Sequence, residues 1–165
     1  AVAPAAVPAL ALAAAVLHAL RLHGWRGSKI AGDPLLLVLH VGYAWLALGY
    51  ALRAAELLGP QWGGPWALHG LLVGAIGTMT LAMLARVTLG HTGRALRAGV
   101  VLTLAFAAIQ GAAVIRLLDP WLGADAWRIA SSLWALAFVL YLVRCGPMLF
   151  APRTDSAPGG IALRQ

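Results

Sequence analysis

Five apolar stretches, each close to the length needed to cross a lipid bilayer, constrain this 165-residue chain more than any other feature. Crossing the hydrocarbon takes about 20 residues of α-helix, at about 1.5 Å per residue. Residues 8–22, 34–58, 67–89, 96–118 and 126–150 meet or approach that length. Composition excludes a soluble alternative. Hydrophobic residues make up 62 % of the chain and charged residues 10 %, whereas a soluble domain carries about 45–50 % and about 25 %. A chain of ~150 residues hides only about 70 % of the surface it exposes unfolded. Lipid must therefore solvate most of this one. The expected fold is all-α, a polytopic membrane helix bundle of about five transmembrane helices.

Helix punctuation supports these boundaries. Asp33-Pro34 reads as an N-cap followed by proline in the first helical turn. Gly59-Pro60 ends the second helix, Asp119-Pro120 ends the fourth, and Gly90 marks the expected stop of the third. Residues 151–165 are short and Pro/Gly-containing, and are expected to form a disordered tail. The net charge of +7, from 12 Lys and Arg against 5 acids, has a topological reading. Arg21, Arg26 and Lys29 fill one connection, Arg86, Arg94 and Arg97 another, and Arg144, Arg153 and Arg164 the end of the chain. The remaining connections balance Arg53 with Glu56, and Arg116 and Arg128 with Asp119 and Asp125. Basic and balanced connections alternate, so the first residues lie outside and the C-terminus lies in the cytoplasm. Trp62, Trp66, Trp121 and Trp127 gather at the outer connections as an aromatic belt. No basic run interleaves with stacking aromatics, so nucleic acid is not an expected partner. Cys145 has no second cysteine to pair with. The chain starts at Ala1 without a basic leader and reads as entered mid-protein.

Ionisable groups within the bilayer are costly and are functional candidates by default. Here they are mainly histidines: His18, His40, His69 and His91. No acid falls in the middle of a span, which gives a carboxylate proton relay little support. On an ideal α-helix His69 and His91 lie about 40° apart around the axis and about 33 Å apart along it. They share a face with Ile76, Thr80, Met83 and Val87, but cannot bind one metal together. His40 lies about 9 Å into the second helix, so His18, His40 and His91 form a candidate inner group. Gly70, Gly74 and Gly77 line a different face, suited to close packing by a neighbouring helix. The bland readings are interfacial placement for His18, helix-end capping for His91, packing for Met79 and Met83, and an inert thiol at Cys145. For Gln110, Ser131 and Ser132 the expectation is interhelical hydrogen bonding.

The stretches LHVGYAWLALG (Leu39 to Gly49) and ALHGLLVGAIGTMTLAMLARVTLGHTGR (Ala67 to Arg94) resemble the NnrS family. These are bacterial cytoplasmic-membrane proteins reported to contain haem and copper and associated with nitric oxide metabolism and nitrosative stress. The resemblance implies a bundle of about twelve helices, of which these five would be the last, with the rest of the same longer chain or another membrane subunit as partner. It carries His40, His69 and His91 onto family histidine positions, as metal ligands. Arg86 is then placed to neutralise a haem propionate or to reach the cytoplasmic interface, with His40 and His91 as cofactor-binding residues. Thr80 or Tyr43 would stand beside the metal.

The functional expectation is a haem- and copper-binding membrane protein that handles nitric oxide or electrons, with turnover not assigned. Two other classes compete. A transporter of a small metabolite or metal complex would line its path with the same histidines, although the spans lack the paired, broken short segments of many transporters. A structural subunit would use the Gly70, Gly74 and Gly77 face to dock partner helices.

Overall fold

A computed structural model describes residues 6–25, 30, 32–59, 65–123 and 125–154. Arg26, Lys29, Trp62 and the tail from 155 onward lie outside the described residues. Five helices are long and apolar enough to cross a membrane: α1 (Ala6–His23), α2 (Pro34–Leu58), α3 (Trp66–His91), α4 (Gly99–Leu117) and α5 (Ala126–Phe150). A single helical turn, Asp119–Leu122, bridges α4 and α5. No strand occurs among the described residues. The chain is a multi-pass membrane protein.

Successive helices run antiparallel, which gives the bundle a basic end and a tryptophan end. Trp66 and Trp121 stack at the latter, 5.6 Å between ring centroids. α1 packs on α2 alone among the helices with substantial contacts, α2 packs on α3, and α5 packs most extensively on α4. Leu81, Leu89, Leu102, Ile109 and Cys145 form the centre of the core. Cys145 is 0 % exposed, so its thiol serves as a small packing group rather than a reactive one. Large apolar side chains on the outward faces, such as Leu10, Val100 and Val143, remain exposed, as lipid contact requires.

The helix ends follow from local chemistry. Asp33 accepts a hydrogen bond from the Leu35 amide at 2.9 Å, with Pro34 in the first turn. α3 has Pro65 at its N-cap and no side-chain cap of its own. Glu56 on α2 supplies one, accepting from the Ala67 amide at 2.7 Å and setting negative charge at the positive end of the helix dipole. At the other end, α3 runs past Gly90 to His91. Gly93 is the terminating glycine, at φ 71°. Its amide donates to the Gly90 carbonyl at 3.2 Å and the Arg94 amide to Leu89 at 2.9 Å, the bond pair of a Schellman ending. The expected stop at Gly90 is therefore three residues early, because of two nearby glycines only Gly93 takes the left-handed conformation. Gly93→Ala should lower unfolding stability by about 1 kcal/mol, measured by denaturant titration in micelles; an unchanged midpoint would contradict this account of the stop.

The glycine face of α3 is occupied within the chain itself. Gly70 lies against Gly49 of α2, with a would-be Cβ 3.4 Å from the Gly49 Cα. Gly74 lies under the indole of Trp45. Gly77 faces Ile109 and Trp134 instead. A docking role for this face would require the chain's own α2 to leave it. Gly70–Gly77 is also wound as a π-helix, with i→i+5 bonding. Each residue there turns through less than the 100° of an α-helix, which rotates the start of α3 relative to its end. Ile76, Thr80, Met83 and Val87 share an exposed face with His91, as the helical wheel has it. His69 leaves that face and turns towards α4.

Candidate metal centre

Each histidine meets a different environment, and hydrogen bonding determines what its nitrogens can do. His40 sits on the face of α2 that also carries Tyr43 and Tyr50. Its Nδ1 lies 3.2 Å from the Leu36 carbonyl one turn back. A carbonyl only accepts, so the ring proton is on Nδ1 and the Nε2 lone pair points away from it. That Nε2 is buried with no hydrogen-bond partner. A backbone carbonyl holding Nδ1–H while Nε2 stays free is the arrangement by which proteins orient a metal-binding imidazole. Trp25 braces the ring edge-on, 5.3 Å between centroids.

Around His40 the α1–α2 hairpin builds an aromatic cluster. His18 Nδ1 lies 2.7 Å from the Tyr43 hydroxyl, and its ring stacks on Tyr50 at 5.6 Å. Trp25 rests on Tyr43 at 4.5 Å. His18 thus belongs with the aromatic face of α2. The signal for it was the spacing of His40, Tyr43 and Tyr50, three positions lying on one side of a helix. His91 does not join this group.

His69 is engaged elsewhere. Its Nε2 lies 2.9 Å from Nη2 of Arg116 on α4, and Arg116 Nη1 donates to Asp119 at 3.0 Å. A guanidinium has only donors. Nε2 must therefore accept, and the ring proton sits on Nδ1, a buried N–H without a hydrogen-bond partner. In this arrangement neither nitrogen offers a lone pair, so a metal at His69 requires Arg116 to turn away first. Together with Val73, Ala130, Ser131 and Trp134, the pair lines a cavity of about 320 Å³ near the tryptophan end.

His91 and Arg86 do come together. Both line a cavity of about 470 Å³ at the basic end, with Arg153. Of the remaining candidates, Thr80 is exposed and lines an apolar groove with Met79 and Met83. Gln110 makes the expected interhelical bonds, accepting from Trp45 Nε1 at 2.6 Å and donating to Thr78 Oγ1 at 2.8 Å. Ser131 does not, since its hydroxyl donates to the Trp127 carbonyl of its own helix at 2.7 Å. The Thr88 and Tyr141 hydroxyls, 2.9 Å apart, link α3 to α5 instead. No three His, Cys, Asp or Glu residues gather to hold a metal among the described residues.

The profile of a family described as NnrS protein matches residues 1–153. This chain belongs to the NnrS family. No curated protein and no solved structure matches it. At the level of the family, membership supports a membrane protein of the nitric oxide response. Within this NnrS chain the matched region covers all five spans, and so includes the aromatic cluster of α1 and α2 as well as the histidines of α3.

Proposed function

We propose that this NnrS protein binds haem, with copper as a second metal, and acts in handling nitric oxide. The observation that carries the reading is the buried, unpartnered Nε2 of His40, with the ring proton committed to the Leu36 carbonyl. Haem iron takes a neutral histidine nitrogen readily, and imidazole also suits copper. A bound metal of this kind supplies a centre for nitric oxide or for an electron. The chain's own residues do the rest. Leu36 fixes the tautomer and aim of His40, Trp25 limits rotation of the ring, and His18 holds the Tyr43 hydroxyl beside the same cluster. For copper the further imidazoles belong to separate sites at opposite ends of α3: His91, exposed at one end, or His69 at the other, once released by Arg116. The localisation that fits is the bacterial cytoplasmic membrane, with the basic end inside.

The test is an optical spectrum of the purified protein, air-oxidised and then dithionite-reduced, with copper quantified on the same sample. The expected result is a Soret band that shifts on reduction and is lost in His40→Ala, while His69→Ala retains it. A metal-free, colourless protein, or a His40→Ala variant with an unchanged spectrum, would overturn the assignment.

A further inference from the structure

We propose that the basic end of α3 carries a seat for one anionic phospholipid, independent of any metal at His40. Two openings meet there. The first is the cavity of about 470 Å³, whose polar lining is Arg86, His91 and Arg153 and whose apolar lining includes Met83, Val87 and Leu96. The second is a groove of about 420 Å³ along the outward face of α3, lined among the described residues by Met79, Thr80, Met83, Leu84 and Val87. Met83 and Val87 line both, so a cationic head site opens into an apolar track.

The dimensions select the ligand. From Met79 to His91 the track runs about 18 Å by helix rise, slightly more than half of the ~30 Å hydrocarbon core. That is the reach of an acyl chain in one leaflet, and a free phosphate would use none of it. Charge points the same way. No carboxylate lines the cavity among the described residues. Arginine presents several N–H donors in a fork that matches phosphate oxygens. Basic pockets between transmembrane helices on the positively charged side are where anionic head groups bind.

Distant parts of the chain combine to build the rim of this seat. The Schellman ending at Gly93 turns the backbone so that the Thr92 and Gly93 carbonyls face the segment after α5. Thr154 donates from its amide to Thr92 at 3.2 Å and from its hydroxyl to Gly93 at 2.7 Å. These bonds hold Arg153 against the cavity, although it lies 62 positions from His91 in the chain.

Native mass spectrometry of the purified protein, titrated with an equimolar mixture of dioleoyl phosphatidylglycerol and dioleoyl phosphatidylcholine, tests the proposal. One phosphatidylglycerol should be retained in preference to phosphatidylcholine, and inorganic phosphate should not displace it. Arg86→Gln should reduce that preference about five-fold, the worth of one arginine at a membrane surface. Thr154→Ala, which keeps every charge, should reduce it too by loosening the hold on Arg153. Arg144→Gln, a charge-matched change on α5 outside the cavity, should leave it intact. Equal retention of the two lipids, an equal loss in Arg144→Gln, or displacement by phosphate would overturn the proposal. So would a fall in haem content rather than lipid retention in Arg86→Gln, which would make the cavity a propionate site. The spectrum of the same Arg86→Gln sample keeps this outcome separate from failure of the His40 assignment.

Discussion

Gly74→Leu is expected to abolish assembly of the bundle. A Cβ on Gly74 would stand 2.5 Å from Cδ2 of Trp45 and 2.7 Å from Cγ and Cε3. The indole cannot retreat cheaply, being 8 % exposed and tied through Nε1 to Gln110. Overpacking by even a methyl group in such a site costs typically about 1–3 kcal/mol. Leucine adds three further carbons against a rigid ring, and typical total stabilities are only about 5–15 kcal/mol. The check is the yield of monodisperse protein in detergent and its thermal unfolding. Gly146→Ala is the companion measurement: nothing lies within 4 Å of a Cβ there, so that variant should behave like the parent. Near-parental stability of Gly74→Leu would mean that α2 and α3 do not pack as described.

The second large effect centres on Gln110, which joins three helices. Its carbonyl oxygen accepts from Trp45 on α2, and its amide donates to Thr78 on α3. Gln110→Leu keeps the volume roughly but strands the Trp45 N–H in a region without water. An unsatisfied buried donor costs about 1–3 kcal/mol, while hydrogen bonds between membrane helices average about 0.6 kcal/mol. The expected loss is about 1–3 kcal/mol, read from unfolding in a titration with sodium dodecyl sulfate. Pairing it with Trp45→Phe removes donor and acceptor together. The double variant should then be less destabilised than the sum of the two singles. Strict additivity would show that the Trp45–Gln110 bond contributes nothing.

Gly74 and Gln110 also mark how much of the chain's character is legible from residue type and spacing. That Gly70 and Gly74 form a close-packing surface follows from small residues spaced along one face, and Gln110 in an apolar span announces an interhelical bond. Their partners, Gly49, Trp45 and Thr78, carry no local mark that pairs them. The face shared by Thr80, Met83, Val87 and His91 is legible because Thr78–His91 is regular α-helix. The wheel misplaces His69 because it assumes a constant 100° per residue, and the π-helical Gly70–Gly77 segment intervenes.

Residue order alone dictates the solvent, the number of crossings and their alternating direction. Hydropathy, capping residues and the distribution of arginine act over one helix or one connection, and every backbone group in lipid must be satisfied locally. The chemistry of the histidines depends on what each ring meets, within its own helix or across the bundle. Which nitrogen of a ring carries the proton depends on what faces it. For His40 that is a carbonyl four residues away, and for His69 a guanidinium 47 residues away. Arg153 lines the same cavity as Arg86 and His91, and its neighbour Thr154 is bonded to the turn after α3. Local pattern selects the helices and, through Leu36, the tautomer of His40, whereas contacts between distant segments occupy the His69 lone pair and decide where the charges gather.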